Sequence, residues 1–174
     1  MFRNYTKEDI PAIARIFTDS WRTTYKELLP VELLDSMDYT WSEKYFTDYL
    51  KEAGHGAFVS VDDDNQVTGF VTYMPYTEKI PDSLLLDSLH ISPLHRGKGI
   101  GKKLIYMVGV YAWEQGFQKM VLSLVIGNDR AENIYKHLGA KHLIDYIDYM
   151  AEVPYHSRAL IWEDVSVFLP EWHY

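Results

Sequence analysis

HISPLHRGKGIGKKL, residues 90–104, sets glycines at 97, 99 and 101, directly after an apolar run and directly before a helix-like segment. The stretch carries Arg96, Lys98, Lys102 and Lys103 and no acid, although the whole chain has a net charge of −8. Glycine lets a backbone approach a ligand closely, and successive N–H groups at a helix start converge on an anion. A phosphate or pyrophosphate is therefore the expected ligand, with an ordinary tight turn as the plainer alternative. Two familiar phosphate motifs do not fit. A Walker A loop needs a hydroxyl residue after its Gly-Lys pair, whereas Gly101-Lys102 runs into Lys103-Leu104. A dinucleotide fingerprint needs glycine three residues after Gly99, where Lys102 stands.

Upstream of this loop, Ser83 to Ile91 reads as a strand, and Ala57–Val61 with Val67–Tyr73 reads as a hairpin around DDDNQ. Residues 2–5 form a short first strand, and Thr6 with Asp9 signals a helix start. Ile10, Ile13, Ile16, Phe17 and Trp21 then recur at helical spacing until Pro30. A short helix is expected over 31–37, and Thr40 is the expected cap of another running to Ala53. Downstream, a helix from Gly101 to Glu114 closes at Gly116. A strand follows over Lys119–Val125, apolar on both faces, and then a helix from Asn128 to Gly139. Strands over 140–149 and 158–165 finish the chain. The expected fold class is α/β (α+β): a mixed, mostly antiparallel twisted sheet with helices on both faces, in one domain over 1–174.

The composition sets limits. With 174 residues, 47% hydrophobic and 24% charged, the chain can bury a core of its own. It has no cysteine, hence no disulfide, no zinc–thiolate centre and no thiol nucleophile, and no metal is expected. The acidic balance argues against nucleic-acid binding, and no apolar run approaches the ~20 residues that span a bilayer. The N-terminus shows no signal-peptide pattern, so the expected location is cytoplasmic.

Two spaced motifs carry a family resemblance. Arg96-x-x-Gly99-x-Gly101, preceded by Leu89-His90-Ile91-Ser92-Pro93, resembles the acyl-CoA pyrophosphate loop of the GNAT superfamily of N-acetyltransferases. About thirty residues on, VLSLVIGNDRAENIYKHLGAK is similar to that family's Asn-x-x-Ala-x-x-x-Tyr segment, with Asn128, Ala131 and Tyr135 matching by position. Gly139-Ala140 departs from the family's usual Gly-Phe corner.

The resemblance implies a set of roles. The backbone of Gly97, Lys98, Gly99, Ile100, Gly101 and Lys102 would cradle the CoA pyrophosphate, with Arg96 lining or bracing the loop. The edges of Leu89 and Ile91 would pair with the pantetheine amides, and Asn128 would bond the pantetheine arm, unless it only caps its helix. Tyr135 would protonate the departing thiolate; the plainer reading is a packed core tyrosine. Asp87 is the first candidate for the base, directly or through water. On regular strand parity it faces the same side as Leu89 and Ile91, whereas His90, the second candidate, faces away. The acceptor site would draw on SWRTTYKELLP, where Trp21 and Tyr25 stand one helical turn apart, and on the loop DYIDYMAEVPYHS.

The implied activity is transfer of an acetyl group from acetyl-CoA to a primary amine of a small molecule or peptide, by direct attack in a ternary complex. The alternatives are transfer of a longer acyl chain, a catalytically silent CoA-binding sensor, or a nucleotide-binding protein. A homodimer is left open.

Overall fold

The computed structural model describes residues 1–170. Its strands are β1 (Phe2–Asn4), β2 (Gly56–Val61), β3 (Val67–Pro75), β4 (Ser83–Ile91), β5 (Lys119–Val125), β6 (Lys141–Met150) and β7 (Val153–Trp162). The helices are α1 (Ile10–Thr24), α2 (Val31–Ser36), α3 (Tyr39–Tyr49), α4 (Ile100–Glu114) and α5 (Asp129–His137). The seven strands form one sheet in the order β1-β2-β3-β4-β5-β7-β6, antiparallel except between β4 and β5. No helix among the described residues is long and apolar enough to cross a membrane.

Strand alternation divides the core between two faces. Ile13, Phe17 and Trp21 recur every four residues on α1 and bury against Phe46 of α3 and Val59 and Phe70 of the sheet. On the other face, Leu104, Ile105 and Val108 of α4 pack on Leu84, Leu86 and Leu122. Tyr135 of α5 and Leu138, just past its end, join that second cluster.

The sequence misplaces two features. Asp38, not Thr40, caps α3, its side chain accepting from the Trp41 N–H at 2.7 Å. The last strand starts at Val153 and ends at Trp162, because β6 and β7 are joined by the two residues Ala151 and Glu152 alone. Both have positive φ, 47° and 64°, as a two-residue hairpin turn needs. Ala-Glu carries no turn signal, and Pro154, which reads as a strand breaker, lies inside β7 opposite Tyr149. The expected acceptor loop is thus a continuous hairpin.

One irregularity positions the site. β4 and β5 pair only over Ser83–Leu86 and Lys119–Leu122. Beyond that point β4 stays with β3 through Ile91 and β5 stays with β7 through Val125, so the two strands part. The β3–β4 register also slips: Thr72 pairs with Ser88 and Tyr73 with Leu86, leaving Asp87 as the extra residue of a bulge.

Candidate active site

The parted strands open a cleft of about 550 Å3 that runs from the glycine loop to the β6–β7 hairpin. At the loop end, Gly97 and Gly99 have φ of +76° and +77°, a backbone that L side chains rarely adopt. A Cβ at either would meet no atom within 4 Å, so the space above the loop is open to a ligand. Gly99 is the N-cap of the 15-residue α4, and Ile100 packs beneath it on the core. Lys98 and Lys102 are exposed beside the loop. Arg96 braces it, Nε donating to the Ile91 carbonyl at 3.2 Å.

That contact also reports which way the β4 edge points. Ser92 N–H donates to Thr68 across the sheet, and antiparallel alternation then turns the backbone groups of Leu89 and Ile91 away from β3. Their amides face the parted edge, as pairing with a pantetheine arm requires. On the opposite wall Asn128 precedes α5 with no side-chain cap bond, so its amide is not spent on the helix. It sits beside the Tyr25 hydroxyl.

Tyr135 lines the same cleft, half-buried, its ring edge-on to Trp162 with centroids 6.4 Å apart. Burial, with the Tyr25 phenol adding to it, pushes its hydroxyl above the usual tyrosine range, so it keeps its proton at neutral pH. Trp21 and Tyr25 are core residues and cleft wall at once: they are 6% and 8% exposed and stack edge to face at 5.0 Å.

Asp87 and His90 both border the cleft, but the bulge overturns the parity expected for them. Leu89 and Ile91 pack toward α4, while Asp87 faces Tyr45, Tyr49 and Tyr155 on the α1–α3 side. His90 lies on that same side, edge-on to Phe17 at 5.4 Å and tilted on Phe70 at 5.8 Å. Regular alternation fails because the extra residue shifts the side-chain phase by one. Burial, opposed by the Tyr49 phenol and reinforced by the Asp148 charge, raises the Asp87 carboxyl to about 6. Burial, helped by the Arg96 charge, lowers His90 to about 3, so its imidazole stays neutral and weakly basic.

Three further cleft residues escape the sequence reading as individuals: Tyr45 on α3, and Asp148 and Tyr155 on the hairpin. Asp148 and Tyr155 are cross-strand partners, and only the true register of β6 and β7 brings them together. Behind the cleft, Arg158 of β7 clamps α5 to the sheet. It donates to Glu132 at 3.0 and 3.2 Å and to Asp145 at 2.7 and 2.9 Å.

Residues 11–140 match the model of the Acetyltransferase (GNAT) family. The chain is 31% identical over 123 residues to the uncharacterized N-acetyltransferase YuaI of Bacillus subtilis, covering 70% of this chain and 69% of that protein. It is 33% identical over 73 residues to the thialysine N-epsilon-acetyltransferase of Bos taurus, covering 42% and 43%. Its fold is similar to that of the PaiA N-acetyltransferase from Thermoplasma acidophilum, solved with coenzyme A. That match has a TM-score of 0.73 and 17% identity, over 94% of this chain and 98% of the other.

Proposed function

The chain belongs to the GNAT family of acetyl-CoA-dependent N-acetyltransferases, and from that premise we propose that it acetylates a primary amine of a small molecule or peptide by direct attack in a ternary complex. The observation that carries this reading is the parting of β4 and β5, with an anion-cradling loop at one end and a carboxyl group at the other. The residues present fit an acyl-CoA co-substrate. The pyrophosphate would lie on the amides from Gly97 to Lys102, the pantetheine along the edge of Leu89 and Ile91, and its amides against Asn128.

The chemistry then needs two protons to move. The amine nitrogen attacks the thioester carbonyl carbon, the C–N bond forms, and the nitrogen loses a proton to Asp87 directly or through one water. The C–S bond breaks, and the sulfur takes the proton of the Tyr135 hydroxyl. A carboxyl group at about 6 is ionised at neutral pH yet more basic than an ordinary aspartate, which suits a general base. A cationic amine also suits the acceptor end of the cleft, and the relative named for thialysine acts on such a compound.

The first test is ligand identity, read as thermal stability. Only a ligand that binds the folded state raises the midpoint, and at 100 times its Kd it adds about 2.7 kcal/mol. Acetyl-CoA and CoA are expected to stabilise, and ATP and NAD are not. Equal stabilisation by ATP would reject the acyl-CoA reading.

A further inference from the structure

The cleft is polarised by charge. Arg96, Lys102 and Arg130 border the end near α4 and α5, whereas Asp87 and Asp148 border the end beneath the β6–β7 hairpin. Among the described residues neither acid forms an ion pair with a lysine, arginine or histidine. Asp148 is held in a defined orientation. Its Oδ1 accepts from the Tyr149 N–H at 2.8 Å, and its Oδ2 from the hydroxyls of Tyr155 at 3.3 Å and Tyr146 at 3.5 Å. Those donors fix its direction and supply no counter-ion.

The walls around the two acids are aromatic. Tyr45, Tyr155 and Trp21 border the cleft, with Trp21 edge-on to Tyr155 at 5.9 Å. Ring faces attract ammonium groups, most strongly where water is thin. Two polar groups on this wall also lack partners: the Trp21 indole N–H and the Ser20 hydroxyl, on residues 6% and 1% exposed. Of these, the Ser20 oxygen can accept from an ammonium group; the indole N–H is a donor only and adds nothing to ammonium recognition. Two carboxylates share this cleft with no counter-ion, and a ligand with two ammonium groups can pair both where a monoamine leaves one unpaired.

We propose that the acceptor is a diamine, its second ammonium group held by Asp148 among Tyr45, Trp21 and Tyr155 while its first nitrogen is presented to Asp87. This rests on the acetyl-transfer reading above and adds the substrate class. Asp148 is then a specificity-determining residue: it touches the acceptor but no reacting atom.

The experiment compares kcat/KM for 1,3-diaminopropane and 1,4-diaminobutane with the monoamines of equal carbon count, with acetyl-CoA saturating and both thiol release and acetylated amine measured. The diamines are expected to be favoured by on the order of 10²-fold, the scale of a desolvated charge pair. Asp148→Asn should bring that ratio close to one and Asp148→Glu should keep a clear preference, with the acetyl-CoA thermal shift showing that each variant is folded. A ratio near one in the native protein, or an undiminished ratio in Asp148→Asn, overturns the diamine proposal and leaves acetyl transfer standing. Transfer to none of these amines by a protein that acetyl-CoA still stabilises overturns both.

Discussion

The Nε of Arg96 donates to the carbonyl oxygen of Ile91 at 3.2 Å, tying the start of the glycine loop to the last residue of β4. That bond links the glycine loop to the free strand edge, and on the proposed function damage to the loop should be read out in cofactor binding before anything else. Gly99→Asp tests this. Aspartate tolerates a left-handed backbone better than most residues, and its Cβ meets no atom within 4 Å, so the fold should survive. Its charge would sit where the proposed function puts the CoA phosphates. CoA affinity is expected to fall at least 10²-fold with little change in the ligand-free midpoint; unchanged affinity would mean that the glycines serve only a turn.

Tyr135→Phe keeps the ring that packs on Trp162 and removes only the hydroxyl. Turnover should drop by on the order of 10²-fold, within the range for one general acid, with the midpoint nearly constant. Normal turnover with a good acceptor would make Tyr135 a packing residue and leave protonation of the thiolate to water.

The rate should rise with pH through about 6, as Asp87 loses its proton and becomes a base. Asp87→Asn should abolish that limb and slow the reaction at neutral pH. Partial recovery is expected at higher pH, where free amine becomes abundant. His90→Gln should keep the limb, because His90, lowered to about 3, does not titrate there. A histidine variant without the limb, beside an aspartate variant that keeps it, would transfer the role to His90.

The same carboxyl has a cost in stability, and its sign can be worked out. Asp87 is raised from 3.8 to about 6 on folding, so the unfolded chain releases its proton first as pH rises. Its ionisation disfavours the fold fully above about 6, and the effect disappears below about 4. Asp87→Asn should therefore raise stability at pH 7 by on the order of 1–3 kcal/mol, and this gain should vanish in acid. A variant that is less stable at neutral pH would show that the charge is compensated by contacts the asparagine cannot make.

How much of this was legible in the sequence depends on which interactions are local. Gly97 and Gly99 could be read because a positive φ leaves a residue-type signature. Asn128 and Tyr135 could be aligned on one side because seven residues make two turns of a helix. The bulge at Asp87 could not be read, since it arises from the pairing of Thr72 with Ser88 on a strand sixteen residues away in the chain. Regular alternation therefore put Asp87 on the wrong face of the sheet, although Asp87 still borders the cleft. The facing of Asp148 and Tyr155 was hidden for a related cause: Ala151 and Glu152 take positive φ without glycine or asparagine, so the hairpin register had no local marker. Cross-strand geometry is set by distant partners, and it is what brings Asp87, Asp148 and Tyr155 to the hairpin end of the cleft, beside Trp21 and Tyr45 from the helices.

Amine-dependent release of free CoA thiol from acetyl-CoA, quantified together with the acetylated amine across a panel of small primary amines, tests the central claim most directly. The expected result is one thiol released for each amide formed, with release that rises with amine concentration to saturation and falls sharply in Tyr135→Phe. Binding of acetyl-CoA with no amine-dependent thiol release for any member of the panel would contradict it, and would describe a CoA-binding protein that does not transfer the acetyl group.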